Sequence, residues 1–313
     1  MTLSQLEYIV AVDTYGNFSE ASTHCFVTQP TLSMQIQKLE DELGILIFDR
    51  SKHPVTTTEI GEKVIRQARI ILQEKNELHN VVENETGDFS GRLRVGVIPT
   101  ISPYLLPMVL KSFTEKYPAV ELLINEALTA EIVNALNKDK VDVGVLALPL
   151  NHPGIVEETL YHEPFIAYIP ETHRLYKKES ITVDDIDVEE LLLLEEGHCF
   201  RDQALKICKS SERELCNKSS KVLFESGNLD TLKKLVENNF GITLLPYLAI
   251  QYITDSNQQK LIRKFPEPAP KREIGLVYNK TVSKLRLIKT LKEEILYVIP
   301  DELKEAEKTM VIH

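Results

Sequence analysis

Leu3, Leu6, Ile9 and Val10 recur at helical spacing from the start of the chain, which predicts an amphipathic first helix. Gly16-Asn17 breaks it, and Ser19 reads as the N-cap of a short second helix over about 20–25. Phe26-Val27 predicts a tight turn. Thr28 then caps a third helix, with Pro30 in the first turn, where its missing N–H costs nothing. Leu32, Ile36 and Leu39 mark the apolar face of that helix, and Gly44 marks its end. Between Ile45 and Thr57 the pattern shifts to two short strands around Ser51-Lys52-His53-Pro54.

Three short helices and a hairpin read as a helix-turn-helix with a wing. Thr58 opens a long helical pattern through residue 86, in which Val64, Ala68, Ile71, Lys75, Leu78 and Val82 follow spacings of four and three. That is a heptad seam interrupted by one lysine, and it favours a dimer-forming linker over a helix packed only on its own domain. Residues 87–91 close the segment as a hinge.

From Arg92 onward strands and helices alternate. Strands are expected at 93–98, 120–125 and 141–146, with helices at 103–116 and 130–138 between them. Such alternation predicts a parallel sheet with right-handed crossovers. A second series follows, with strands at 165–169, 191–195, 222–224 and 241–245 and a helix over 229–238. A strand at 274–278 and a helix at 283–299 complete two small α/β lobes joined by chain crossovers. The expected domains are 1–58, 59–91 and 92–313, with one lobe near 92–162 and 270–300 and the other near 163–269.

Composition narrows the classes. Hydrophobic and charged contents of 43% and 27% are those of an ordinary globular protein. No basic start runs into an apolar stretch, and no apolar run approaches the ~18 residues of a membrane span. A cytoplasmic protein with no membrane partner is expected, in a compartment that keeps thiols reduced. The net charge of −11 argues against a generic nucleic-acid coat. Residues 1–60 hold eight acidic and three basic side chains, a balance of −5. DNA contact must therefore come from a few placed groups. Gln29, Pro30, Thr31, Ser33 and Gln35 form the N-terminal face of the third helix, suited to base edges or phosphates. Lys38, Arg50 and Lys52 supply cations for phosphate. A solvated polar face is the blander meaning of such residues, and the complete pattern outweighs it.

Four cysteines bring the candidate chemistry. Cys199 sits between His198 and Phe200-Arg201, with Cys208 nine residues on. If this segment is helical, the two sulfurs lie on opposite faces with a rise of roughly 13 Å. A disulfide needs Cα atoms about 4.4–6.8 Å apart, so the bond forms only if the intervening backbone rearranges. That is the logic of a switch. Arg201, or His198 when protonated, would lower the Cys199 pKa and favour the nucleophilic thiolate. Cys25 reads as a small buried hydrophobe, and Cys216, on a charged stretch, as incidental. A zinc site from His198, Cys199, Cys208 and Cys216 fits the ligand types but not the usual spacing, and the reading calls for no metal and no cofactor.

The N-terminal residues Thr28 to Gly44, with Phe48-Asp49-Arg50 and Thr57 to Gly61, resemble the LysR-type transcriptional regulators. The resemblance implies an α/β chain with an all-α-dominated winged helix-turn-helix N-terminal domain, a dimerising linker helix, and a two-lobed regulatory domain like the periplasmic binding proteins. Within that family, Gly197-His198-Cys199-x-Arg201-Asp202-Gln203-Ala204 followed by Cys208 resembles the redox loop of the OxyR-type hydrogen peroxide sensors. This implies Cys199 as the peroxidatic thiol and Cys208 as the resolving one. Thr100, Thr129, His198, Arg201, Asp202, Gln203 and Arg272 would then surround the peroxide and the thiolate. Double-stranded promoter DNA, a homodimer or homotetramer, RNA polymerase, and a glutaredoxin- or thioredoxin-like reductant are the implied partners. The rival readings are a metabolite-responsive regulator with inert cysteines and a thiol peroxidase with a DNA-binding appendage.

Overall fold

The structure is a computed structural model. It describes residues 1–51, 54–86, 90–208, 226–280, 282–304 and 310–312. The chain divides into two compact units. One is Met1–Phe89 with Asn137–Lys140 and Thr281–Leu285; the other is Ser90–Leu136, Val141–Lys280 and Arg286–His313.

The first unit opens with α1 (Leu3–Tyr15), which starts in a capping box between Thr2 and Gln5 and ends at a left-handed Gly16. Helix α2 (Phe18–His24) begins two residues before the sequence reading placed it. The cap is Asn17 rather than Ser19, because the Asn17 Oδ1 accepts from Ser19 N and Glu20 N at 2.8 and 3.3 Å. The shift makes Phe18 helical and sets its ring against Phe48, 5.9 Å between centroids. Helix α3 (Gln29–Leu43) runs from the Thr28 cap to a left-handed Gly44, as the pattern predicts. Strands β1 (Phe48–Asp49) and β2 (Thr56–Thr57) pair antiparallel as the wing.

Helix α4 (Glu59–Thr86) is a single long helix, and the Thr58 hydroxyl accepts from Gly61 N at 3.0 Å in its first turn. Its expected seam is only partly free. Ala68 and Ile65 are buried in the core formed by Leu6, Ile9, Leu32, Ile36 and Leu39. The interrupting Lys75 pairs with Glu7 of α1 at 2.6 Å. The first half of the seam thus serves its own domain; the side chains of Leu78 and Val82 lie outside the described residues, as do residues 87–89 of the hinge.

In the second unit β3 (Gly91–Val97) lies between β4 (Val120–Glu126) and β5 (Val143–Leu148), all parallel. Helices α5 (Ser102–Lys116) and α6 (Thr129–Asn137) make the crossovers. Beyond β5 the sheet departs from the expected parallel order. Strand β6 (Ile155–Tyr168) and strand β9 (Pro270–Asn279) run antiparallel to each other, and β9 runs antiparallel to β5. The first half of β6 was not expected as strand. Its Glu157, Glu158, Thr159 and His162 break up any apolar run. Residues 165–168 of β6 leave β9 and pair with β7 (Thr243–Pro246) and β8 (Ile262–Lys264), so one strand serves both lobes. The expected strand at 191–195 survives only as bridges from Leu191 to Ile242 and Leu194 to Ser226. The expected strand at 222–224 lies outside the described residues.

Helix α7 (Cys199–Ile207) follows, then α8 (Leu229–Glu237), α9 (Tyr247–Gln251), α10 (Ser256–Gln259) and α11 (Leu285–Val298). A last short strand, β10 (Met310–Val311), adds to β9 in parallel at Pro270 and Lys271. Among the described residues no helix is long and apolar enough to cross a membrane.

Candidate functional site

Cys199 is the first residue of α7, and Cys208 is the residue that ends it. Gly197 turns the chain into the helix with φ +94°, and any side chain there would press on Leu128, beside Thr129. Phe200, Ala204, Leu205 and Ile207 are buried along the helix, so α7 is seated by its apolar face. Cys199 and Cys208 are both thiols and both half-buried. Cys208 N donates to Ala204 O at 3.2 Å, so the last turn is closed. Nine helical steps separate the two Cα atoms by about 13 Å, and no disulfide forms while the helix stands.

The Cys199 thiol feels Thr129 and Arg272 from two other elements, and Thr100 joins them through Arg272. Thr100 and Thr129 follow the carboxyl ends of the parallel strands β3 and β4, where ligand-binding groups gather in α/β sheets. Thr129 Oγ1 is buried and among the described residues finds no conventional hydrogen-bond partner, and the group its hydroxyl faces is the Cys199 thiol. Arg272 comes from β9. Burial pushes the Cys199 thiol above its ordinary pKa, and Asp202 adds to the rise. The Arg272 guanidinium and the Thr129 hydroxyl pull the other way. Burial wins, and the resting sulfur holds its proton.

Arg272 is itself tied down. Its Nε and Nη2 donate to Glu163 Oε2 at 2.9 and 2.7 Å. Its Nη1 donates to Thr100 Oγ1 at 2.9 Å, and its Nη2 to Thr100 O at 3.2 Å. The Arg272 guanidinium also lies 5.0 Å from the centre of the Phe200 ring, one residue from the thiol. Both charged side chains are 1% exposed. The second Glu163 oxygen accepts from Leu248 N at 2.8 Å. Such a pair survives burial only because its remaining donors and acceptors are also met.

The other expected site residues scatter. Arg201 turns away from the thiol and donates to Leu194 O at 2.7 Å, so the cation beside Cys199 is Arg272 instead. The reason is helical geometry, since residues two apart do not share a face. His198 is buried, and its Nε2 stands 3.7 Å from Glu195 Oε1. Asp202 is exposed at the first turn. Gln203 is buried, and its Nε2 donates to Ile312 O at 3.2 Å. Cys208 is pushed up to about 11 by burial and by Asp187. Cys216 lies outside the described residues. Among the described residues no group of three His, Cys, Asp or Glu side chains gathers as a metal site.

On the first unit, Gln29, Pro30 and Lys38 are exposed on α3, and Thr31, Ser33 and Gln35 are partly so. Thr28 and Thr31 share a hydroxyl contact of 2.8 Å. Gln35 accepts from Gln5 Nε2 at 3.3 Å. Arg50 donates to Ser33 Oγ at 3.3 Å and to the buried Glu40 at 2.8 Å, and it stacks on Phe18. Glu40 also accepts from Ile47 N and Phe48 N, at 2.7 and 3.2 Å. Lys52 lies outside the described residues.

Two family models match this chain: the LysR substrate binding domain over residues 86–298 and the lysR-family bacterial regulatory helix-turn-helix over residues 3–62. The chain belongs to the LysR family. Among curated relatives it is 36% identical over 280 residues to the DNA-binding transcriptional dual regulator OxyR of Escherichia coli K12, covering 89% of each chain. Full-length OxyR from Pseudomonas aeruginosa, with one cysteine replaced by aspartate, superimposes with a TM-score of 0.78 at 32% identity, over 96% of this chain and 99% of that one. A hydrogen peroxide-bound cysteine-to-serine mutant of OxyR from Corynebacterium glutamicum aligns at 30% identity and TM-score 0.62, over 95% and 92%.

Two residues of this LysR-family chain escaped the sequence reading. Glu163 sits between His162 and Pro164, with no periodic pattern to mark it. The register that sets Glu163 opposite Arg272 on β6 and β9 is visible only in the folded sheet. Tyr161, two residues earlier, is buried with no partner for its hydroxyl among the described residues, and burial with the nearby Glu163 carboxylate holds its pKa well above the ordinary value. Buried tyrosine hydroxyls usually find a partner, so this one is a mark that only the structure supplies.

Proposed function

We propose that this LysR-family chain is a DNA-binding activator of peroxide-defence genes, switched by oxidation of Cys199 and capture of the product by Cys208. In the first step the Cys199 thiolate attacks one oxygen of hydrogen peroxide. The O–O bond breaks, the distal oxygen leaves as hydroxide and takes a proton to become water, and Cys199 becomes a sulfenic acid. In the second step the Cys208 thiolate attacks the Cys199 sulfur. The S–O bond breaks, a second water leaves, and a disulfide remains. A glutaredoxin- or thioredoxin-like dithiol returns the two electrons.

Local residues have separate tasks in this scheme. Arg272 and the Thr129 hydroxyl stabilise the thiolate against the cost of burial. Thr100 accepts from Arg272 through its oxygen and keeps its own proton to donate to a peroxide oxygen. Exposed Asp202, in the first turn of α7, would help to orient the peroxide. His198 fixes the entry to α7 from a buried position.

The observation that carries the proposal is two thiols at opposite ends of one intact helix, one of them against a buried hydroxyl with no other partner. The rival, an acidic metabolite bound between the lobes, would want a free cation. Arg272 is already neutralised by Glu163.

Refolding of the segment between the cysteines would turn subunits of a dimer of dimers and respace the heads on promoter DNA. Gln29, Thr31, Ser33 and Gln35 would read bases or backbone, with Pro30 shaping the first turn and Lys38, Arg50 and Lys52 meeting phosphate. RNA polymerase is the partner that an activator in the cytoplasm would engage. The test is limiting peroxide followed by mass spectrometry of peptides spanning 197–218, together with Cys199→Ser. That variant should bind DNA and lose the oxidant response. A normal promoter response from it rejects the proposal.

A further inference from the structure

The LysR substrate-binding match ends at residue 298, and the chain continues beyond it. That continuation returns to the sensing lobe. Met310 and Val311 pair in parallel with Pro270 and Lys271 of β9, next to Arg272. Ile312 N donates to Lys271 O at 2.8 Å, and the Ile312 side chain is buried. From the other side, Gln203 Nε2 donates to Ile312 O at 3.2 Å. Gln203 is one turn into α7, between the two cysteines.

The tie is specific. Gln203 is 5% exposed, and among the described residues its Oε1 has no hydrogen-bond partner. Among the described residues, the bond to the Ile312 carbonyl is the one that fixes this amide. A buried amide that loses such a partner keeps the whole cost of its desolvation. Unwinding α7 must break that bond.

We infer that Ile312 is a positioning residue: it acts through Gln203 to hold α7 helical in the thiol state, and so sets how readily the Cys199 sulfenic acid reaches Cys208. The inference deepens the peroxide-sensing proposal and rests on it. Attack of Cys199 on peroxide needs no movement of α7, whereas closure of the disulfide needs α7 to open. Ile312 therefore governs the second step and leaves the first alone. Release of the strand on oxidation would also uncover the β9 edge at Pro270 and Lys271.

The experiment compares the full chain with one ending at residue 309. Amide hydrogen exchange of α7 in the thiol form, with no oxidant present, should accelerate about fivefold, the ratio one buried hydrogen bond supports. Exchange in α8 should not change. Unchanged α7 exchange overturns the inference. With peroxide, sulfenate formation should keep its rate and disulfide closure should quicken about fivefold. A faster first step with an unchanged second step also overturns it. If the shortened chain does not fold, Ile312→Pro in the full chain removes the N–H that bonds Lys271 and should give the same pair of rates. Ile312→Val keeps backbone and burial and should restore the full-length rates. If α7 exchange accelerates but neither chain forms the disulfide, the restraint stands and the peroxide-sensing proposal falls.

Discussion

Glu163 and Arg272 face each other in register across β6 and β9, and the carboxylate receives two guanidinium N–H groups at 2.9 and 2.7 Å. The same arginine reaches Thr100, lies over Phe200, and is the cation that lowers the Cys199 pKa. Glu163 thus meters how much positive charge the sulfur feels. Glu163→Gln should act in two directions. An uncompensated buried guanidinium should cost about 3–5 kcal/mol, read by denaturant unfolding of the regulatory domain. The freed charge should lower the Cys199 pKa and speed alkylation at neutral pH. Lower stability with an unchanged thiol titration would make the pair purely structural.

Thr129 gives a cleaner separation of stability from reactivity. Its buried Oγ1 makes no conventional hydrogen bond, so Thr129→Val removes an unsatisfied group and should leave stability unchanged or slightly higher. The same change removes the hydroxyl that lowers the Cys199 pKa. Oxidation of Cys199 by peroxide should slow about fivefold, the loss of one hydrogen bond donated to the thiolate when it forms. Competition against a reference peroxidase measures the rate. An unaltered rate would leave Thr129 without a part in the chemistry.

The pH dependence follows from the direction of the thiol shifts. Cys199 is held above its ordinary pKa by burial, so its reactive thiolate is scarce at neutrality. Its oxidation rate should climb about tenfold per pH unit from about pH 6 to pH 8, with no plateau. A plateau below neutrality would mean that the thiol is already ionised. Stability runs the opposite way. A thiol whose folded pKa is raised keeps its proton more tightly when folded, so the benefit is complete below the unfolded value and is lost above it. For Cys208 that loss should fall between pH 9.0 and about 11, visible as a declining unfolding midpoint.

Elements with a clean period were legible in the sequence. Leu32, Ile36 and Leu39 fixed the face of α3, and Thr28 and Gly44 fixed its ends, because capping chemistry is local. The half of β6 that precedes Phe165 was not legible: one side of it is polar, and its length comes from partners more than a hundred residues away. The same split runs through the site. Cys199 and Cys208 stand out by spacing alone. The charge that acts on Cys199 does not. Arg201 is near in sequence but turned to Leu194, whereas Arg272 arrives through strand register. Glu163 had no sequence signal, because a single carboxylate in a strand means nothing until its partner is opposite.

The proposed DNA-reading face of α3 and the wing carries the last prediction. Residues 1–60 hold only Lys38, Arg50 and Lys52 as basic side chains. Arg50 is bonded to the buried Glu40 and stacked on Phe18, so much of its charge is spent inside the domain. Lys38 is exposed on α3. A head of this kind gathers phosphate through helix N-termini and neutral donors, which release few counterions. For a dimer making about two cationic phosphate contacts per head, the slope of log K against log salt should be near −3.6. Lys38→Ala should flatten it by about 2, one contact per head. Arg50→Ala should do less to the slope and more to the wing, because Glu40 would lose the guanidinium while still holding Ile47 N and Phe48 N. Titrating labelled promoter DNA at several salt concentrations measures both effects. A steep slope that neither variant changes would place the phosphate contacts elsewhere on the chain.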